Sequence, residues 1–335
     1  MNYSLDKIAK ELGISKTTVS LILNGHADEN RISAELQKTV KDFCKKVNYV
    51  PNIHAIRAGS KYAKNIGMLI NENLLSNGNN PFSDQNTSEI TGGVVSAAAK
   101  KGFRVTIQFY NNSTKESDIF NWLRDREIDG LIYYGHSFDE NWHKCFIEES
   151  RNVVGIGIKP AEGIATVNAD NVTAMHELGN MLVRQGRKRF LYVAGYKDCY
   201  VSDMRLKGLL KSLEENGISF DKKNIIYANF SEDIAYRRIK SAKIQADAIV
   251  CANDDMAIGV IKALGEKGIS VPGQVGVTGA DNIRISEYFS PSVTTIDNMN
   301  AELGRCAFEE IINLIKGGEP RNIKVASRVI KRHSC

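Results

Sequence analysis

The sequence predicts a small N-terminal all-α helix-turn-helix domain followed by a larger bilobal α/β domain. Three observations carry that expectation. Residues 5–24 read LDKIAKELGISKTTVSLILN, two short amphipathic helices on either side of one glycine. From residue 65 the pattern changes to strands alternating with helices, in two tandem series. The whole positive excess precedes that change: residues 1–64 contain 11 Lys or Arg against 6 Asp or Glu, and the rest contains 33 of each.

The first helix is read from Leu5, Ile8, Ala9 and Leu12, the i, i+3, i+4, i+7 stripe of a helix with one buried face. Gly13 breaks it, and Ser15 can cap a second helix that buries Val19, Ile22 and Leu23. That second helix presents Lys16, Thr17, Thr18 and Ser20 outward, short or flexible hydrogen-bonding groups suited to phosphates and base edges. By itself the pair is equally a plain helical hairpin; the localised charge favours attachment to DNA phosphates. After the polar segment GHADENR, Ser33 can cap a third helix to about Val47, with Leu36, Val40, Phe43 and Val47 as its inner stripe. Lys41, Lys45 and Lys46 lie off that stripe, where they would reach phosphates or simply face water. Pro51 disfavours helix at Val50, so residues 1–50 form the first domain. Residues 51–64 read as a hinge or linker in which Asn52 can cap a short helix, about 53–58.

The domain spanning 65–335 is read from its strands. Those of the first series are 66–70, 103–109, 129–134 and 153–158, with helices at about 88–100 and 116–125. The segment 71–87, NENLLSNGNNPFSDQNT, reads as a long polar loop following a strand, where open α/β sheets place ligands. A second series gives strands at 190–193, 224–228, 247–251 and 274–278, and the tail returns with a helix at about 300–316 and a strand near 323–327. The tail completes one lobe only if the chain crosses between lobes more than once.

Composition excludes several classes. No apolar run reaches the 18 residues of a membrane span, and MNYSLDKIAKEL lacks the apolar core of a signal peptide, so a cytoplasmic protein is expected. The six cysteines are scattered without a CxxC pair, which argues against a disulfide framework or a zinc site. No nucleotide-binding glycine loop or HExxH occurs, and no histidine sits in a nucleophile or metal constellation, so neither an enzyme nor a cofactor is expected.

The chain resembles the LacI/GalR family of bacterial transcriptional regulators. The resemblance runs nearly end to end, on SLDKIAKELGISKTTVSLILNG at 4–25, NYVPN at 48–52, SDMRLKG at 202–208, CANDDMAIG at 251–259, GISVPGQVGVTGADN at 268–282 and PSVTTIDN at 291–298. It implies a bilobal effector domain like type I periplasmic binding proteins, with three crossovers near 163–168, 295–299 and 319–323. Lobe one would then cover about 65–163 and 297–320, and lobe two about 166–295 and 322–335. It implies a homodimer, with a tetramer as the alternative, on near-palindromic operator DNA. DNA contacts would come from Ser4, Lys16, Thr17, Thr18, Ser20, Leu21 and Asn24, and from Asn52, His54, Ala55, Arg57 and Ala58 in the hinge. Two positions depart from the family's habit. Leu21 replaces a frequent arginine and can pack only on thymine methyls or sugars. Ala58 replaces the leucine that wedges into the minor groove.

The resemblance also implies effector contacts. Arg205 brings a fork of N–H donors, Asn253 and Asp281 follow strands, and Phe230 would stack on the ligand or pack in the core. Lys159 stands where relatives often carry an acidic residue, and would face an acidic effector or solvent; Phe82 would close the 71–87 loop over the ligand. The expected function is a repressor governed by a small carbohydrate-like effector. A purine- or other metabolite-responsive regulator is the alternative, and a solute-binding transport protein the reading from another class.

Overall fold

The computed structural model describes residues 3–25, 27–49, 62–72, 80–111, 113–125, 127–135, 146, 148 and 152–335. The chain divides into two compact units, Met1–Ala63 and Lys64–Cys335. The hinge positions Asn52, His54, Ala55, Arg57 and Ala58 lie outside the described residues, as does the middle of the 71–87 segment.

The first unit contains α1 (Leu5–Leu12), α2 (Lys16–Leu23) and α3 (Ala34–Lys46). Each is opened by a serine. Ser4, Ser15 and Ser33 accept from the backbone N–H of Lys7, Thr18 and Leu36, satisfying donors that a helix start leaves unpaired. Gly13 ends α1 at φ 64°, a left-handed conformation that costs glycine nothing, and its N–H reaches back to the Ala9 and Lys10 carbonyls. The three stripes meet in one core of Ile8, Ala9, Val19, Ile22, Ala27, Val40 and Cys44. On α3 the innermost last-turn position is Cys44 rather than Val47, which is half-buried and outside that core.

Lobe one of the second unit is a six-stranded parallel sheet. Its strands are β1 (Asn65–Asn71), β2 (Arg104–Tyr110), β3 (Gly130–Tyr134), β4 (Val153–Ile156), β5 (Ala165–Ala169) and β11 (Asn322–Val325), in the order β11-β5-β4-β3-β1-β2. β3 and β4 are buried along their whole length, as strands covered on both faces must be. Helices α4 (Gln85–Lys100) and α11 (Asn300–Ile315) pack together on one face, and α5 (Glu116–Arg124) lies with the Tyr110, Ile119 and Phe120 cluster. α4 and α11 touch backbone to backbone. A Cβ on Gly93 would lie 2.1 Å from the Ala301 carbonyl oxygen, and one on Gly304 2.0 Å from that of Ile90.

Lobe two is built on β6 (Phe190–Ala194), β7 (Ile225–Tyr227), β8 (Ala248–Cys251) and β9 (Gly276–Thr278), a parallel sheet in the order β7-β6-β8-β9. Its helices are α6 (Asn171–Arg184), α7 (Tyr200–Glu215), α8 (Glu232–Ser241), α9 (Asp254–Glu266) and the short α10 (Arg284–Tyr288). The antiparallel pair β10 (Thr295–Asp297) and β12 (Arg328–Ile330) completes it.

Two crossovers fall later in the chain than the resemblance implied. Residues 165–169 do not begin lobe two: β5 pairs in parallel with β4, so the first passage is at Asp170. Likewise β11 pairs with β5, so 322–325 belongs to lobe one and the last passage is at 326–327. The reason is pairing. Each segment continues a parallel ladder whose partner is already in lobe one, and the ladder satisfies backbone groups that a connector would leave to water. The middle passage, between β10 and α11, lies at 298–299, inside the expected 295–299.

Candidate functional site

In the first unit α2 is exposed where Lys16 and Thr17 stand and half-buried at Ser20 and Leu21. Lys16 donates to Asp6 at 2.9 Å across the two helices, a pair exposed on both sides. Such a pair contributes little and is readily exchanged for a phosphate. The Thr18 hydroxyl lies 2.8 Å from the Ser15 hydroxyl and so belongs to the cap, while Ser20 accepts from the exposed Asn24 side chain at 3.1 Å. Leu21 takes no part in the core of this unit, whereas Leu23 packs against it. Lys16, Thr17 and Leu21 are therefore the side chains of α2 left over after its structural needs are met.

In the second unit the two lobes enclose a cleft of about 780 Å³, part of it open to solvent. Its walls come from the carboxyl ends of strands in both lobes, the place where open parallel sheets bind ligands. From lobe one come Tyr134 and Gly135 at the end of β3, Ile156 and Gly157 at the end of β4, and Asn168 and Ala169 on β5. From lobe two come Phe230, Asn253, Asp255 and Asp281, with Arg205 from α7. The first turn of α4 adds Asn86 behind its cap Asp84, and Asn298 and Asn300 stand at the second crossover.

Four of the six expected effector residues line this cleft: Arg205, Phe230, Asn253 and Asp281. Their hydrogen bonds show what holds them. Arg205 is 4% exposed. Its Nε donates to Asn171 Oδ1 at 2.9 Å, Nη1 to the Ala252 carbonyl, and Nη2 to Asp281 Oδ1 at 2.6 Å. Three of five N–H groups are thus committed to protein acceptors. Asp281 also accepts from Asn298 at 2.7 Å and, through Oδ2, from Asn86 at 2.9 Å. Burial pushes its carboxyl up, while Arg205 beside it pulls the other way. The Asn86 bond crosses from α4 of lobe one to lobe two, as does that from the Arg284 backbone N–H to Gln85 Oε1 at 2.7 Å. Asp281 is therefore the node at which the two lobes meet.

Asn253 caps α9 by accepting from Met256 N–H at 3.0 Å and donates to the Phe230 carbonyl at 3.4 Å. Phe230 stands at φ 56° and Asp281 at φ 107°, conformations that non-glycine side chains rarely adopt. Such strain persists where surrounding contacts over-determine it, and here it collects at the cleft. Beneath them the buried Asp254 accepts from Ile283 N–H at 2.9 Å and Thr295 Oγ1 at 2.6 Å, pinning the segment that carries Asp281.

The other two expected residues lie elsewhere. Lys159 is exposed and does not line the cleft: β4 ends at Ile156, and Gly157 at φ 72° turns the chain so that Ile158 is buried and Lys159 faces outward. Phe82 is 37% exposed and packs edge-on against Phe109, with centroids 5.6 Å apart, because Asn80 caps a 3-10 turn over 81–83. The helix after it starts at Gln85, three residues earlier than expected. Sequence reasoning missed Asp84, Asn86, Asn168, Asp255, Asn298 and Asn300. Asn168 lies near the end of β5, and each of the others follows a strand, caps a helix or stands in its first turn, so the signal was present, but polar residues at such places are too common to single out.

Two separate elements, a helix-turn-helix and a two-lobed α/β unit with a ligand-sized cleft, define a DNA-binding regulator responsive to a small molecule. The comparisons agree. A profile described as "Bacterial regulatory proteins, lacI family" matches residues 4–52, and one described as "Periplasmic binding protein-like domain" matches 180–335. The HTH-type transcriptional regulator MalR of Clostridium butyricum is 27% identical, over 99% of each chain. The HTH-type transcriptional repressor PurR of Vibrio atlanticus is 27% identical, over 98% of this chain and 97% of its own. In structure, the lac repressor dimer bound to operator and the anti-inducer ONPF matches with TM-score 0.85 at 21% identity, over 100% of this chain and 99% of that one. A complex of the regulator CelR with cellobiose matches with TM-score 0.74 at 22% identity, over the full length of both. The chain belongs to the LacI/GalR family of transcriptional regulators. It is a DNA-binding repressor with an allosterically controlled effector domain. Among the described residues no helix is long and apolar enough to cross a membrane.

Proposed function

We propose that this repressor reads a near-palindromic operator as a homodimer through Lys16, Thr17 and Leu21, and that a polyhydroxylated, carbohydrate-like effector in the cleft sets its affinity. One observation carries the effector reading. Asp281 and Arg205 from lobe two and Asn86 from lobe one form a single hydrogen-bonded chain across the cleft. A ligand with several hydroxyls exchanges hydrogen bonds with both sides of that chain at once, and so biases the angle between the lobes. A coupling of roughly 1–3 kcal/mol, the usual allosteric range, changes operator occupancy about 5- to 150-fold.

A purine is the second reading, supported by the Phe230 ring at the cleft wall, edge-on to Tyr196 at 5.9 Å, a platform for a planar base. A thermal-shift panel of sugars and nucleobases separates the two, followed by operator gel shifts with the compounds that stabilise the protein. Sugars raising the melting temperature and changing the gel shift support the first reading; nucleobases alone doing so replace it with the second. For the operator, selection from random DNA is expected to return half-sites with thymine at the step facing Leu21. Leu21→Arg should move that preference to guanine, and an unchanged preference would place base reading elsewhere on the unit.

A further inference from the structure

The unfilled hydrogen-bonding capacity of the cleft is lopsided. Three carboxylates line it, those of Asp84, Asp255 and Asp281, against the single guanidinium of Arg205. That guanidinium already ion-pairs with Asp281 at 2.6 Å. Asp84 uses one oxygen to cap α4, accepting from Thr87 N–H at 2.7 Å and Thr87 Oγ1 at 2.8 Å. Asp255 has no hydrogen-bond or ion-pair partner among the described residues. Two amides of the lining add to this. Asn168 is 6% exposed and Asn298 3% exposed, and the Oδ1 atom of each has no partner.

Their orientation is fixed by chemistry. Asn168 Nδ2 faces the Ile158 carbonyl at 3.0 Å, and Asn298 Nδ2 faces the Asp281 carboxylate at 2.7 Å, so neither amide can be flipped to bury its oxygen against a donor. Against these orphan acceptors the cleft keeps only two free N–H groups on Arg205 and a few hydroxyl or amide protons. Unpartnered buried acceptors are costly, and the occupant that relieves them is rich in donors. Among the described residues no three acidic, His or Cys side chains converge to hold a metal ion.

We propose that the effector carries a cationic amine on a polyhydroxylated ring, the amino-sugar class, with its ammonium paired to Asp255 in the field of Asp84 and its hydroxyls donating to Asn168 and Asn298. This rests on the cleft being the effector site. The charged and titratable groups around Asp255 are Asp84 at the start of α4, Asp281 beyond β9, Glu232 in the first turn of α8, Arg205 on α7 and Tyr134 at the end of β3. Burial, with the like charges of Asp281, Asp84 and Glu232, pushes the Asp255 carboxyl up to about 7. An ammonium reverses that pressure, so its binding expels a proton from Asp255 and strengthens as pH rises from 6 to 7.

Isothermal titration of the full-length protein with D-glucosamine, D-galactosamine and D-mannosamine, each beside its N-acetyl form and its parent hexose, tests this. One amino sugar should bind roughly ten- to a hundredfold more tightly than both partners, the value of a charge-assisted contact. It should bind more tightly at pH 7 than at pH 6, with proton release read from buffers of different ionisation heat. Asp255→Asn should remove the preference, and Asp84→Asn, which keeps a capping side chain, should reduce it; thermal melts confirm that both variants are folded. Equal or tighter binding of the parent hexose, a preference that survives Asp255→Asn, or no binding by any of the three amino sugars overturns the proposal, and putrescine binding as tightly as the amino sugars overturns its sugar part. If a neutral sugar or nucleobase binds and is lost in Asp281→Asn, the cleft remains the effector site and only the amine is wrong. Binding indifferent to every cleft substitution refutes the effector site itself.

Discussion

Replacing Arg205 by Ala is the most informative perturbation of the second unit, because it separates a ligand contact from a structural one. The side chain is 4% exposed and has three protein acceptors: Asn171, the Ala252 carbonyl and Asp281. Its removal leaves the Asp281 carboxylate, 8% exposed, with only Asn86 and Asn298 as donors and no countercharge. Deleting one member of a buried ion pair costs about 3–5 kcal/mol, since the surviving charge stays desolvated. That is a large share of the roughly 5–15 kcal/mol that stabilises a whole domain. Arg205→Ala should therefore lose the effector response and also lower the stability of the unit by about 3–5 kcal/mol. In the double variant Arg205→Ala, Asp281→Asn the partner charge is gone too, and about 1–3 kcal/mol less than the sum of the two single losses is expected. Urea unfolding followed by far-UV circular dichroism reads both. A cost below about 1 kcal/mol for Arg205→Ala, or additive losses in the double variant, would show that the pair does not hold lobe two together.

The contact between α4 and α11 makes a sharper steric test. Gly304→Ala drives a methyl to 2.0 Å from the Ile90 carbonyl and should cost about 1–3 kcal/mol in melts. Gly92→Ala on the same α4, with nothing within 4 Å, should be neutral or stabilising by up to about 1 kcal/mol. Asp255 predicts a pH slope. Its folded-state value of about 7 lies above the ordinary 3.8, so the folded protein holds the proton more tightly, and stability falls as pH rises between those values. Asp255→Asn should flatten that slope and leave the protein more stable than the parent at pH 8 but not at pH 4, as parallel melts would show. Lys16→Ala and Thr17→Ala should weaken operator binding in gel shifts while leaving effector titrations unchanged; equal operator affinity would move the recognition surface.

Much of this architecture was legible in local chemistry. Ser4, Ser15 and Ser33 cap their helices through their own side chains, and Gly13 takes a left-handed conformation that costs glycine nothing, so the helix boundaries are set by neighbours in sequence. Parallel strands such as Gly130–Tyr134 announce themselves by continuous apolar runs, because both faces are covered. The crossovers were placed less well. Ala165–Ala169 and Asn322–Val325 differ little from a connector in composition, and their membership in lobe one follows from pairing with each other across more than 150 residues.

The cleft divides in the same way. Arg205, Phe230, Asn253 and Asp281 stand at strand ends and helix starts, where topology alone brings ligand-facing groups together, and the sequence determined them. Only the tertiary structure decided that Arg205 is spent on Asp281, that Lys159 faces solvent beyond Gly157, and that Asp255, Asn168 and Asn298 are left with acceptors unanswered. Hydrogen-bond satisfaction is a property of neighbours in space. Asn86 meets Asp281 across 195 positions of chain, and no local pattern records that distance.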